Sequence, residues 1–125
     1  MPAQRVFAKA RVGRDAINPS KDTVEGNSRS MISFTVRMTF SPDDRAEIAE
    51  TLRALTLASR QEPGCVTYIP HYLEGDRDTV LIYEQYRDPA AAEAHRQSPH
   101  FAQYAVGGLY QKMRDRVRED LVALA

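Results

Sequence analysis

Cysteine is nearly absent from this 125-residue chain: Cys65 stands alone, which excludes an internal disulfide framework and any zinc site built on several thiolates. Net charge is lacking as well. Seventeen Lys and Arg balance seventeen Asp and Glu, so no overall field draws the chain to nucleic acid or to an anionic membrane, and neither is expected as a partner. No apolar run approaches the ~20 residues of a membrane-spanning helix. The first residues lack the apolar segment of a secretory signal, and the cytoplasm is the expected location. What remains is ordinary for one domain with a modest core, since 42% of the residues are hydrophobic.

Texture changes near residue 31. Residues 1–30 hold six Lys and Arg against three Asp and Glu and few large apolar side chains. They read as an N-terminal extension, either mobile or in contact with a partner. Within it Val6 to Val12 alternates in a way that would let it add to a sheet edge or lie on a partner subunit. Residues 31–125 carry the patterned domain.

From Ile32 the chain alternates, with Ile32, Phe34, Val36, Met38 and Phe40 on one face and Ser33, Thr35, Arg37 and Thr39 on the other, as a half-buried strand requires. "SPDD" then supplies Ser41 as N-cap, Pro42 at the first helical position and two acids in the first turn. Ile48, Leu52 and Leu55 follow at helical spacing, and the helix should end before the breaker "EPG". Cys65 to Leu73 and Thr79 to Tyr86 are rich in β-branched and aromatic residues, and "EGDRD" joins them as a hairpin with a longer loop. Two short helices start at Asp88-Pro89 and Ser98-Pro99, and Gly107-Gly108 should end the second. The last segment fits either a helix or a strand. A strand near Arg116 to Val122 is favoured because the topology leaves a sheet position uncovered.

The order strand, helix, strand, strand, helices, strand is the ferredoxin-like split βαβ arrangement, an α+β fold with helices on one face of a four-stranded antiparallel sheet. The opposite face also needs cover. A second copy of the same sheet is the economical cover, so a homodimer closing toward a dimeric α+β barrel is expected.

The stretch "AHRQSPHF" holds two histidines on either side of a Ser-Pro. His95 falls at the end of one helix and His100 in the first turn of the next, so they do not share a face as an i, i+4 metal pair would. No metal site is expected from them.

"EPGCVTYIPHY" followed by "TVLIYEQYRDPAAAEAHRQSPHFAQY" resembles the antibiotic biosynthesis monooxygenase domain family, the dimeric α+β barrel proteins, over about Met31 to the C-terminus. The resemblance implies a small cofactor-independent monooxygenase that oxidises a quinol-like or polyketide-derived aromatic molecule with O2. It equally allows a non-catalytic small-molecule binding or dimeric interaction module of the same fold. Tyr86 stands where many relatives have Trp. The haem-degrading branch has Asn, Trp and an iron-binding His where this chain offers Val36, His95 and Ala105, so its axial ligand is missing.

On that resemblance His95 is the candidate catalytic base, on the inward side of a helix over the strand face of Phe34 and Val36. A neutral imidazole can take a phenol proton, and the resulting anion can pass an electron to oxygen. The alternative is a structural histidine bonded to a nearby backbone group or tyrosine. Candidate substrate contacts are Phe34, Val36, Tyr83, Tyr86, Phe101 and Tyr104, with His71 or Tyr72, since neighbouring strand residues point to opposite sides. Tyr68 is a further aromatic of the same kind. Arg37 and Glu84 are assigned to the polar faces of their strands and are expected to pair across a subunit interface. Cys65 reads as a buried small hydrophobe with nothing nearby to stabilise a thiolate.

Overall fold

A computed structural model describes residues 30–125, and the expectations for the N-terminal extension, with its Val6 to Val12 strand, lie outside the described residues. The elements run β1 (Ile32–Thr39), a 3₁₀ turn (Pro42–Asp44) leading into α1 (Arg45–Arg60), β2 (Cys65–Leu73), β3 (Asp76–Tyr86), α2 (Pro89–Arg96), α3 and β4 (Asp115–Leu121). Helix α3 is π-helical over Phe101–Leu109 and α-helical over Tyr110–Lys112. The strands form one antiparallel sheet in the order β2-β3-β1-β4, with helices on one face. This is the α+β, ferredoxin-like arrangement read from the sequence.

The helix starts follow from local chemistry. The Ser41 side chain accepts from the Asp43 amide at 3.2 Å, Asp88 from the Ala91 amide at 2.8 Å and Ser98 from the Phe101 amide at 3.1 Å. Each gives a first-turn amide a side-chain acceptor, which at Ala91 adds to the Asp88 carbonyl at 3.1 Å. The stripe Ile48, Leu52 and Leu55 of α1 packs on Val36, Met38, Val80 and Ile82 of the sheet, with Ala105 and Leu109 of α3 completing the core. A smaller apolar group, Phe34, Tyr86 and Ala92, holds α2 at the other end of the sheet.

Two local expectations differ from the structure. Strand β3 begins at Asp76, and Leu73 pairs with Asp76, so the hairpin turn is only Glu74-Gly75, with Gly75 at φ 81°. A glycine takes that left-handed conformation without steric cost. The helical run also passes through Gly107-Gly108 to Lys112 instead of ending there. A Cβ on Gly108 would stand 3.1 Å from Thr51 Cγ2, so this glycine serves close packing of α3 on α1.

Gly64 has a similar role with tighter tolerance, because a Cβ there would lie 2.3 Å from the Cβ of Ala91 on α2. Something must move to admit it. Gly64→Ala is therefore expected to destabilise the fold by about 1–3 kcal/mol, the usual cost of overpacking. Urea unfolding of the variant beside the parent protein measures this, and an unchanged midpoint would show that α2 yields freely.

Candidate active site

Glu62 sits in the tight turn between α1 and β2, its amide donating to Ser59 O and its carbonyl accepting from the Cys65 amide, each at 3.1 Å. That backbone fixes where its carboxylate points. His95, near the end of α2, is 3% exposed and directs Nδ1 at Glu62 Oε2, 2.8 Å away. His100 reaches the same oxygen through Nε2 at 2.5 Å. The two imidazoles, expected from the intervening Pro99 not to act together, thus converge on one carboxylate, with ring centroids 6.1 Å apart. The turn at 97–98 folds α3 back so that its start lies beside the end of α2.

A carboxylate at Nδ1 favours the tautomer with the proton there and leaves the lone pair on Nε2. His95 Nε2 faces Glu84 Oε1 at 3.9 Å. The ring is walled by Tyr86 at 5.1 Å, Tyr68 at 5.7 Å and, edge-on, Phe101 at 5.2 Å. Burial holds the His95 pKa below its ordinary value, against the opposing pull of Glu62. The neutral, proton-accepting form is thereby favoured.

Glu84 departs from its expected position. Val80, Ile82, Glu84 and Tyr86 form the inward face of β3, so Glu84 is buried beneath the helices while Arg37 is exposed and pairs in register with Leu81. No Arg37–Glu84 pair exists within the chain, and a buried Glu84 cannot reach across to a second sheet. Burial lifts the Glu84 carboxyl to about 7, with the Tyr86 hydroxyl, which donates to Oε1 at 2.6 Å, and the Arg118 and Arg116 charges acting in the opposite sense. The Tyr86 phenol is raised far above its usual range by burial and by Glu84, so it remains a donor.

Strand β4 supplies the fourth wall. Its register puts Arg118 beside Val36 and Arg116 beside Met38. The Arg118 guanidinium lies 3.8 Å above the Phe34 ring and is held by Asp120 at 2.9 Å; Arg116 lies over Tyr110 at 5.4 Å. The cavity enclosed by these groups measures about 70 Å³. That is room for dioxygen or a few waters and well short of the ~300 Å³ typical of a pocket for a larger organic ligand.

Of the residues singled out from sequence, Phe34, Val36, Tyr86, His95 and Phe101 line this cavity together, as does Tyr68. Tyr104 packs against the main core without lining it. Tyr83 pairs with Thr35 and Ile69 on the opposite sheet face and does not reach the cavity. His71 and Tyr72 both lie on the rim of a separate groove between α1 and β2, with His71 Nδ1 3.2 Å from Leu81 O. Neither faces His95. The Cys65 thiol is pushed up to about 11, chiefly by burial and then by Glu62, which leaves no thiolate for nucleophilic work. The sequence reading missed Glu62, Glu84, Arg116 and Arg118 as site residues. Glu62 and Glu84 stood in quoted motifs, as the first residue of "EPG" and within "TVLIYEQY", without being read as site residues.

The sheet order and the one-sided helical cover define a ferredoxin-like α+β domain. The chain belongs to the antibiotic biosynthesis monooxygenase family, whose model matches residues 31–106. It is 32% identical over 75 residues to "Putative monooxygenase Rv0793" of Mycobacterium tuberculosis, covering 60% of this chain and 73% of that protein. It is 28% identical over 93 residues to "Putative monooxygenase YcnE" of Bacillus subtilis, covering 73% of this chain and 98% of that one. Among solved structures, PA3566 of Pseudomonas aeruginosa superposes with a TM-score of 0.72 at 29% identity, over 80% of this chain and all of that one. The structure of Rv0793 superposes with a TM-score of 0.70 at 27% identity, over 77% and 97%. Family membership carries a monooxygenase-like role. No described helix is long and apolar enough to cross a membrane.

Proposed function

We propose that the protein is a cofactor-independent monooxygenase of an electron-rich hydroxylated aromatic, with His95 Nε2 as the base and Glu62 as the group that orients it. The observation that carries this reading is the part-buried Glu62–His95 contact of 2.8 Å, which leaves Nε2 as the acceptor facing an aromatic-walled cavity. Nε2 takes a proton from the substrate, and the anion passes one electron to O2. Recombination of the radical pair forms a carbon–oxygen bond and a peroxide anion, which recovers the proton from His95. At a ring methylene, loss of water then leaves a carbonyl, so CH2 and O2 become C=O and H2O. Arg116 and Arg118 are placed to stabilise the anion electrostatically. The cavity is too small for a ring as it stands, so the substrate enters by displacing Arg118 from Phe34 on the β4 side.

Oxygen uptake with a panel of quinols in metal-free buffer tests the reaction. Substrate-dependent uptake with retention of one oxygen atom in the product is the expected result. Binding of these aromatics without any uptake would instead identify a non-catalytic binding module.

The second sheet face supports the remaining part of the reading, a homodimer. It carries Leu81 and Tyr83 with the exposed Ile69 and Leu121, and among the described residues no helix covers it. A second sheet laid on it would remove this apolar surface from water. Sedimentation at micromolar concentration should give twice the chain mass, and a stable monomer would remove the barrel.

A further inference from the structure

We infer that Glu62, His95 and His100 form a binding site for a divalent transition-metal cation such as Zn²⁺. The three donor atoms, Glu62 Oε2, His95 Nδ1 and His100 Nε2, lie within 4.8 Å of one another. They come from three separate elements, the turn after α1, the end of α2 and the start of α3, and they meet nowhere else. Two imidazoles and a carboxylate are the donor set that borderline divalent cations favour. With metal–ligand distances of ~2.0–2.1 Å, neighbouring donors of a tetrahedral ion stand roughly 3.3 Å apart. Here the carboxylate oxygen is 2.8 and 2.5 Å from the two nitrogens. Small side-chain rotations that open these two contacts make room for the ion between them.

The surroundings also fit. Three protein donors leave a fourth position for water, and access is available because the Glu62 and His100 side chains keep 14% and 19% of their surface exposed. Glu62 also borders an open groove of about 270 Å³ between its turn and the start of α2. On the far side His95 Nε2 faces the Glu84 carboxylate, the kind of outer partner that metal-bound imidazoles use.

Occupancy has a consequence for the proposed reaction, and that part rests on it. A cation on Nδ1 uses the lone pair there and moves the proton to Nε2, so the imidazole can no longer accept a proton from the cavity. Bound metal should therefore switch the oxygenase off.

The test uses the full chain, stripped with a chelator and titrated at pH 7.5 with Zn²⁺ by calorimetry and with Co²⁺ by visible absorption. One ion per chain is expected, with Kd raised ~10²-fold or more in both His100→Ala and Glu62→Gln. Circular dichroism verifies that each variant is folded. Absence of saturable uptake of either ion at millimolar concentration overturns the site, as does unchanged affinity in either folded variant. Zn²⁺ that binds with this pattern and suppresses oxygen uptake supports both the site and the His95 base. Zn²⁺ that binds and leaves uptake unchanged retains the site and removes His95 as the base.

Discussion

Replacing His95 by alanine is expected to lower turnover in the oxygen-uptake assay by ~10²-fold or more, the low end of what a positioned general base contributes. His95 is the one imidazole with a nitrogen on the cavity, whereas His100 reaches the site only through Glu62. His100→Ala should therefore cost only a few-fold. His95 is also a packing residue among Tyr68, Tyr86 and Phe101, so its removal leaves a void and should cost about 1–3 kcal/mol of stability. The two effects separate when activity is expressed per folded molecule, with the folded fraction taken from circular dichroism. A stability loss with unchanged activity of the folded fraction would make His95 a structural histidine. Equal and negligible effects of both substitutions in an active preparation would have the same meaning.

Legibility of the fold followed the range of the interactions that set it. The alternation of β1 and the Ser41-Pro42, Asp88-Pro89 and Ser98-Pro99 starts are local signals, and each element begins within a few residues of its signal. Strand β3 was harder because both of its faces are apolar, Val80 and Ile82 inward and Leu81 and Tyr83 outward. Hydropathy alone could not choose between them, and it sent Tyr83 inward and Glu84 outward. Parity with Tyr86 contained the answer, since residues 84 and 86 share a face and 83 does not. Gly107-Gly108 looked like a stop because glycine weakens isolated helices, yet here packing of α3 on Thr51 outweighs that preference. His95 was visible as a candidate from its helix position. Glu62, which gives it direction, lies 33 residues earlier in a turn that read only as a breaker. No local pattern joins positions so far apart.

Glu84→Gln should stabilise the metal-free protein at alkaline pH and change it little in acid. The folded state holds the Glu84 carboxyl at about 7, above its ordinary 4.5, mainly because the group is buried. Between those values the folded chain keeps a proton that the unfolded chain has released. Stability from this group is therefore full below pH ~4.5 and is lost as pH rises through ~7. A shift of this size corresponds to roughly 3 kcal/mol as an upper bound, and relaxation around a partly ionised site makes about 1–3 kcal/mol the realistic range. Glutamine is neutral at every pH and can still accept from the Tyr86 hydroxyl, so the variant escapes the alkaline loss. His95 contributes a slope of opposite sign, because its depressed pKa makes the fold lose stability as pH falls below ~6.5. At pH 8 His95 is neutral in both proteins, folded or unfolded, so the alkaline difference between them reads Glu84 alone. Urea unfolding of the chelator-treated pair at pH 4.5 and pH 8 reads the effect. An equal difference at both pH values would mean that Arg116 and Arg118 keep Glu84 ionised throughout, and His95 Nε2 would then face a fixed negative charge that strengthens it as a base.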